Sequence, residues 1–478
     1  MRAVIEKHYR ALSLLLILGS AVMYAVFSFD QLVWADEAYT FAMLRHSFCE
    51  IWTITAADVH PPLYYFLLKL LSAPFGYSLF AVRFFSALPC VLILVTAAFQ
   101  LPKLFGKWTA ALFLLLYLLY PYTMTYAAET RMYSLAELFV FLNALFAYRC
   151  WLWNLGRDWA GFALSGVCAA YTHYFSLVSA GVIYLIVLLA AVVKKRQLLK
   201  PWLLASVATI LMYLPWLGCF LTQLAYKIEN PYWIEPITLG TVVGYVRSIL
   251  SANGVVLFSL FAGAAFLAAL LSMLAARDRG NIQVCLLALS VPLSTAAVGL
   301  AASILVRPVF VVRYLLPSLP LAVFALAGML SRMKEEPLFA AVITVVLMGG
   351  ISNAAYTAKH ALIPSEDRIS STLVDALPEH DAWVVLSRYT THPSQELAYY
   401  EPTAPIYTWD SLGPDNPYSN RIPLEEFQPE DYPKIILVLE KGISIPEEFQ
   451  SAYSAELVCT ATVTGTPQYF WYLTALPS

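Results

Sequence analysis

Between residues 11 and 352 the chain returns repeatedly to apolar runs of about 18 to 22 residues, each long enough for a helix to cross the roughly 30 Å hydrocarbon core of a bilayer. Inside that core only helices and closed barrels satisfy their own backbone polar groups. The runs are continuous rather than alternating, which selects helices over barrel strands. The chain therefore reads as a polytopic α-helical membrane protein. Its charge content agrees. Only 13% of the 478 residues are Asp, Glu, Lys or Arg, against about 25% in an ordinary soluble domain. The basic residues are scattered through short loops, so nothing points to nucleic acid as a partner. Seven cysteines occur, with no C-x-x-C pair, and most lie in apolar runs. They read as small buried hydrophobes, without a disulfide framework or zinc site. The first run, after "MRAVIEKHYR", is too long for a signal-peptide core and is expected to be an uncleaved span.

About eleven runs have spanning length. The run 62–75 is the exception, being short, preceded by Pro61-Pro62 and ended by Pro74-Phe75-Gly76. It is expected to be a re-entrant or interfacial helix. The positive-inside rule supports this count. With the N-terminus in the cytoplasm and 62–75 not spanning, Lys103, Lys107, Arg149, Arg157, Lys194, Lys195, Arg196, Lys200, Arg277, Arg279, Arg332 and Lys334 all fall inside. The same topology puts a mixed set of acids, histidines and arginines at the outer face. Residues 1–355 then form a transmembrane domain with a first outer loop at 30–78, and 356–478 an extracytoplasmic domain of the cell membrane. That last segment is polar, with short strands at 382–387, 405–409 and 434–440, helices at 393–400 and 446–453, and a closing hairpin. A small α/β domain is expected.

Six polar features fall on the outer face. In "WADEAYTFAML" the neighbouring carboxylates Asp36 and Glu37 repel, which raises one pKa and suits a base. Equally, they supply oxygen ligands for a divalent cation such as Mg2+ or Mn2+, with Asp58 and His60 as further ligands; or they cap the helix that follows. Asp58 and His60, two apart before the double proline, point the same way on an extended strand and suit a hydrogen-bonded pair or a shared metal. Glu129, Arg131 and Tyr133 join two spans, where Glu and Arg can pair or Arg can meet phosphate oxygens. His173 sits at another outer turn. Arg313, with Tyr314 beside it, lies just inside a span end, fit for snorkelling or for an anionic headgroup. The outer loop 226–236 is rich in Tyr and Trp and suits sugar stacking.

The early DE pair, D-x-H-P-P-L-Y-Y at 58–65, E-x-R-x-Y at 129–133 and R-Y-x-x-P at 313–317 together resemble the bacterial members of glycosyltransferase family 39. These are the protein O-mannosyltransferase-like and aminoarabinose-transferase-like proteins of the GT-C superfamily. The resemblance covers roughly residues 10–355. It implies a GT-C-like fold and an inverting transferase that moves a sugar from a polyprenyl-phosphate donor to a glycan, lipid or protein acceptor outside the membrane. It makes Asp36 the base on the acceptor hydroxyl and Glu37 its orienting partner. Asp58, His60, Glu129, Arg131, Tyr133, His173, Arg313 and Tyr314 become substrate-binding candidates. His60 departs from relatives with Lys at that position. A metal at Asp36, Asp58 and His60 is the further option. The rival reading is a transporter or flippase of lipid-linked sugars. That function calls for ionisable residues at mid-membrane or broken helices in repeated halves, and neither is visible in the sequence.

Overall fold

The computed structural model describes residues 2–229, 234–250, 267, 279–333, 336–363, 365, 367–387, 392–409 and 412–476. They form two compact units. One comprises Met1–Ser28, Val59–Ser72 and Phe80–Lys359, the other Phe29–Asp58, Ala73–Leu79 and His360–Ser478.

The first unit is a helical bundle. Among the described residues, eight helices have the length and apolarity to cross a membrane: Tyr9–Phe27, Leu79–Phe105, Tyr133–Trp153, Tyr174–Lys194, Arg196–Ala225, Ile282–Leu305, Val312–Leu330 and Phe339–Leu362. A ninth is broken. Lys107–Leu118 and Pro121–Ala127 meet at 57°, where Pro121 starts a new helix because it has no N–H to continue the old one. Two of the expected eleven remain. Gly156–Thr172, of 17 residues, packs between Tyr133–Trp153 and Leu199–Glu229. The expected span at 253–275 lies outside the described residues, as do 230–233 of the expected Tyr/Trp loop. The awkward run becomes a ten-residue helix, Leu63–Ser72, ending in a 3-10 turn at Ala73–Phe75. Ten residues reach about 15 Å, half the bilayer core.

Small side chains let these helices approach, as apolar surroundings require. Ala97, Ala110, Ala163 and Ala169 are buried among Phe113, Phe141 and Phe162. Leu15, Leu204, Ile210 and Leu211 stay exposed, as suits lipid-facing surface. At the end of the bundle holding the basic loops, Arg149 pairs with buried Asp158 at 2.8 Å and donates to Gln100 at 3.0 Å.

The second unit is built on a six-stranded mixed sheet in the order β3-β2-β1-β4-β6-β5. Its strands are β1 Ala382–Leu386, β2 Ile406–Thr408, β3 Arg421–Pro423, β4 Lys434–Glu440, β5 Tyr453–Val463 and β6 Thr466–Ala475. β3, β2, β1 and β4 run parallel, while β6 is antiparallel to β4 and β5. Alternate residues of β1 and β4 enter separate cores. Trp383, Val385, Ile436 and Val438 point to one face, Val384, Leu386, Leu437 and Leu439 to the other. The first of these cores also contains Val33, Ala38 and Ala42 with Leu397 and Ala398. Packing therefore groups the helix Ala35–Arg45 with the helix His392–Tyr400 and the sheet, rather than with its neighbours in sequence.

Candidate active site

The acidic pair is positioned by the start of a helix. Ala35–Arg45 begins after Trp34, whose extended backbone leaves its carbonyl to accept from the N–H groups of Glu37 and Ala38, both at 2.9 Å. The sequence offers the pair as a helix cap. In the structure Trp34 is the N-cap, without a side-chain bond, and Asp36 and Glu37 occupy the first turn. There the positive end of the helix dipole favours carboxylates by about 0.3–1 kcal/mol. Glu37 is buried and Asp36 half-buried. Thr40 donates its hydroxyl to the Asp36 carbonyl at 3.2 Å, and Tyr39 donates to Asp58 Oδ2 at 3.3 Å. Asp58 caps the C-terminal end of Phe48–Ala57, a helix that a capping box at Ser47 and Glu50 starts.

The cationic candidates converge on one another within the helical bundle. His173 is a single-residue turn between Gly156–Thr172 and Tyr174–Lys194. Its Nδ1 accepts from the Phe175 N–H at 3.1 Å, so the proton of the neutral ring sits on Nε2. The ring centroid lies 5.0 Å from Tyr314, 5.7 Å from Tyr133 and 6.0 Å from His60. Burial first, and then repulsion from His60, Arg131 and Arg313, hold its pKa well below the ordinary histidine value. Four separate segments thus bring two histidines, two arginines and two tyrosines together. Arg131 is buried in a tight turn, its N–H donating to the Glu129 carbonyl at 2.7 Å. Tyr133 begins the next helix. Arg313 and Tyr314 ride on a 3-10 turn, Val312–Ser318. Phe175 stacks on Tyr314 with centroids 5.1 Å apart.

One glycine makes that packing feasible. A Cβ on Gly299 would lie 2.4 Å from Phe310 and 2.8 Å from Phe175. A side chain there would displace the rings that carry Tyr314.

The side chains of this cluster are of the kind that suits an anion. Guanidinium groups match phosphate oxygens in shape and charge. The helices Tyr133–Trp153 and Tyr174–Lys194 also start at the cluster, adding the positive ends of two dipoles. The metal option fares differently. No group of three or more His, Cys, Asp or Glu side chains suited to a metal ion occurs among the described residues. The trio Asp36, Asp58 and His60 is not among such groups. A wide apolar cleft of about 890 Å³, lined by Phe105, Phe141, Trp151, Val187 and Phe324, reaches Lys194. Lys194 is the far end of the helix from His173, about 30 Å away.

Two carboxyls escaped the sequence reading. Glu137, one turn into its span, is buried and accepts from Tyr117 at 2.6 Å and from Thr123 at 3.3 Å. A charge in an otherwise apolar run was the available signal. Glu396, on His392–Tyr400, is buried close to the acidic helix. Only a contact across hundreds of residues reveals it.

The architecture has solved counterparts. The chain is similar to ArnT from Cupriavidus metallidurans in the apo state, with a TM-score of 0.68 at 12% identity over 97% of this chain and 99% of that one. It is also similar to the same protein bound to undecaprenyl phosphate, with a TM-score of 0.64 at 12% identity, covering 98% and 99%. The fold is that of a GT-C membrane protein with a small α/β domain. Residues 59–218, about a third of the chain, match the family model described as dolichyl-phosphate-mannose-protein mannosyltransferase. No curated protein sequence matches. The matched segment belongs to a glycosyltransferase family model, and with the fold it favours the reading as a membrane glycosyltransferase over a transporter.

Proposed function

We propose that this enzyme takes a sugar from a polyprenyl-phosphate donor and passes it, with inversion, to an acceptor hydroxyl on the outer face of the cell membrane. The observation that carries the reading is the convergence of His60, Arg131, His173 and Arg313 with Tyr133 and Tyr314. The solved relative described as bound to undecaprenyl phosphate supports a lipid phosphate as the donor's handle.

The chemistry follows from what the donor already has. Its leaving group is a phosphate, so no acid is needed to protonate it. Asp36 accepts the proton of the acceptor hydroxyl as the new glycosidic bond forms. The bond from the anomeric carbon to the phosphate oxygen breaks, and its electron pair stays on the phosphate. Arg131, Arg313 and His60 compensate the charge that grows there, in a setting where fixed donors act more strongly than water. The Nε2–H of neutral His173 donates a hydrogen bond. Glu37 orients Asp36. Attack opposite to the departing phosphate inverts the anomeric centre. The basic loops from Lys103 to Arg332 lie in the cytoplasm. The test is direct. Membranes bearing the chain should release polyprenyl phosphate from the endogenous lipid-linked sugar, detected by mass spectrometry, and gain a glycosylated envelope acceptor. Equal release without the chain sinks the reading.

A further inference from the structure

We propose that Tyr400 and Glu396, on the helix His392–Tyr400 of the C-terminal sheet, are positioning residues that set the geometry of the Asp36–Glu37 turn. The inference rests on Asp36 being the base.

Tyr400 holds the approach to that turn by its main chain. Its hydroxyl accepts from the Val33 N–H at 3.0 Å and donates to the Gln31 carbonyl at 3.2 Å. Both bonds act on the segment that leads into Trp34, the N-cap of the acidic helix. Main-chain groups have few ways to be satisfied before a helix begins, so one phenol fixes the entry angle. Next to it, Tyr399 meets Phe41 edge-on at 5.0 Å. Leu397 and Ala398 share a core with Val33, Ala38 and Ala42.

Glu396 is 0% exposed. Both of its carboxyl oxygens are buried without a hydrogen-bond partner among the described residues, and the charged groups acting on it are Arg368 and Glu37. Leucine would fill the same space without the cost of burying an acid. The carboxyl is instead set beside the first turn that carries the reactive pair. Burial, with Glu37 adding to it, pushes its pKa up to about 8, while Arg368 opposes the rise. Neutral, Glu396 packs against the turn without repelling Glu37. Ionised, it sets a second negative charge against a buried carboxylate, and the turn must shift to relieve it.

The experiment uses the full-length protein in membranes, with transfer read as polyprenyl phosphate released from the endogenous lipid-linked sugar. Tyr400→Phe keeps the ring and removes both bonds. It should lower the maximal rate about 10- to 100-fold, as small misplacements of reacting groups do. Its half-saturating donor level and unfolding temperature should stay near wild type. Glu396→Ala should lose activity comparably. Glu396→Gln should restore it at pH 7 and retain it at pH 9, where the wild type declines. Wild-type rates in Tyr400→Phe and Glu396→Ala, with Asp36→Asn inactive, overturn the proposal. So does a loss that follows thermal stability and is not rescued by Gln, which marks a purely structural role. An active Asp36→Asn variant is a separate result and removes the base assignment itself. If Glu396→Ala does not fold, the near-isosteric Tyr400→Phe still decides.

Discussion

Asp36 and Arg131 both sit at the start of a helix, yet the two places treat charge in opposite ways. At Ala35–Arg45 the carboxylates occupy the end of the helix dipole that attracts them, so the local backbone stabilises them. At Tyr133–Trp153 and Tyr174–Lys194 the positive helix ends meet Arg131 and His173, with His60 and Arg313 close by. Positive groups gathered at positive helix ends favour an anion as ligand. The acidic turn is a finished structure that needs only to be aimed. The cationic cluster is completed by what it binds, and a phosphate should stabilise the folded protein by mass action.

Substitutions at each place can break that contrast. The largest effect is expected for Asp36→Asn. Losing a general base should cut transfer about 10²- to 10⁴-fold while the unfolding temperature barely moves. Transfer at the wild-type rate would remove Asp36 from the chemistry. Arg313→Ala and Arg131→Ala act on the other side. Each should weaken binding of polyprenyl phosphate about 10- to 100-fold, as expected for a charge-assisted bond of about 1.5–3 kcal/mol. The thermal shift that the lipid phosphate induces should shrink in parallel, and an undiminished shift would show that the anion binds elsewhere.

Packing beneath the cluster comes next. Gly299→Ala sets a methyl against Phe310 and Phe175, so it should cost about 1–3 kcal/mol by overpacking and lower the melting temperature. Unchanged melting would mean the rings have room to move. The smallest effect is expected at Glu396. The folded protein holds its proton up to about pH 8, whereas the ordinary value is 4.5. The stabilisation from the neutral acid is therefore complete below pH 4.5 and is lost as pH rises through about 8. Glu396→Gln stays neutral throughout. It should melt with the wild type near pH 5 and a few degrees higher at pH 9 by scanning fluorimetry; parallel curves at both pH values would contradict the raised pKa.

What could be read in advance follows the range of the interactions. Spans are announced by local hydrophobicity, and the basic loops order them, so the bundle was legible. The strands at 382–386, 406–408 and 434–440 were legible for a similar reason, as short apolar segments between turn residues. β3 was not, because three residues ending in Pro423 carry almost no pattern. Phe48–Ala57 was overlooked although Ser47 and Glu50 spell a capping box. Of the candidate site, Arg131, His173 and Arg313 could be placed on one face by topology, but their convergence on one ring depends on packing. The sequence carries no sign that Tyr400 meets Val33. Glu137 shows a different limit, since one charge inside a span was visible but lost among stronger motifs.

The bond between Val33 and Tyr400 joins residues 367 apart in the chain. At a synthesis rate of about 5–20 residues per second, the acidic helix leaves the ribosome roughly 20 to 70 seconds before its partner exists. The bundle can insert and pack during that interval, while the turn bearing Asp36 waits. A chain released early, without residues 392–400, would have most of its spans but no Tyr400 to hold the turn that leads to Asp36. The turn bearing Asp36 thus takes its final form only after most of the spans have been made.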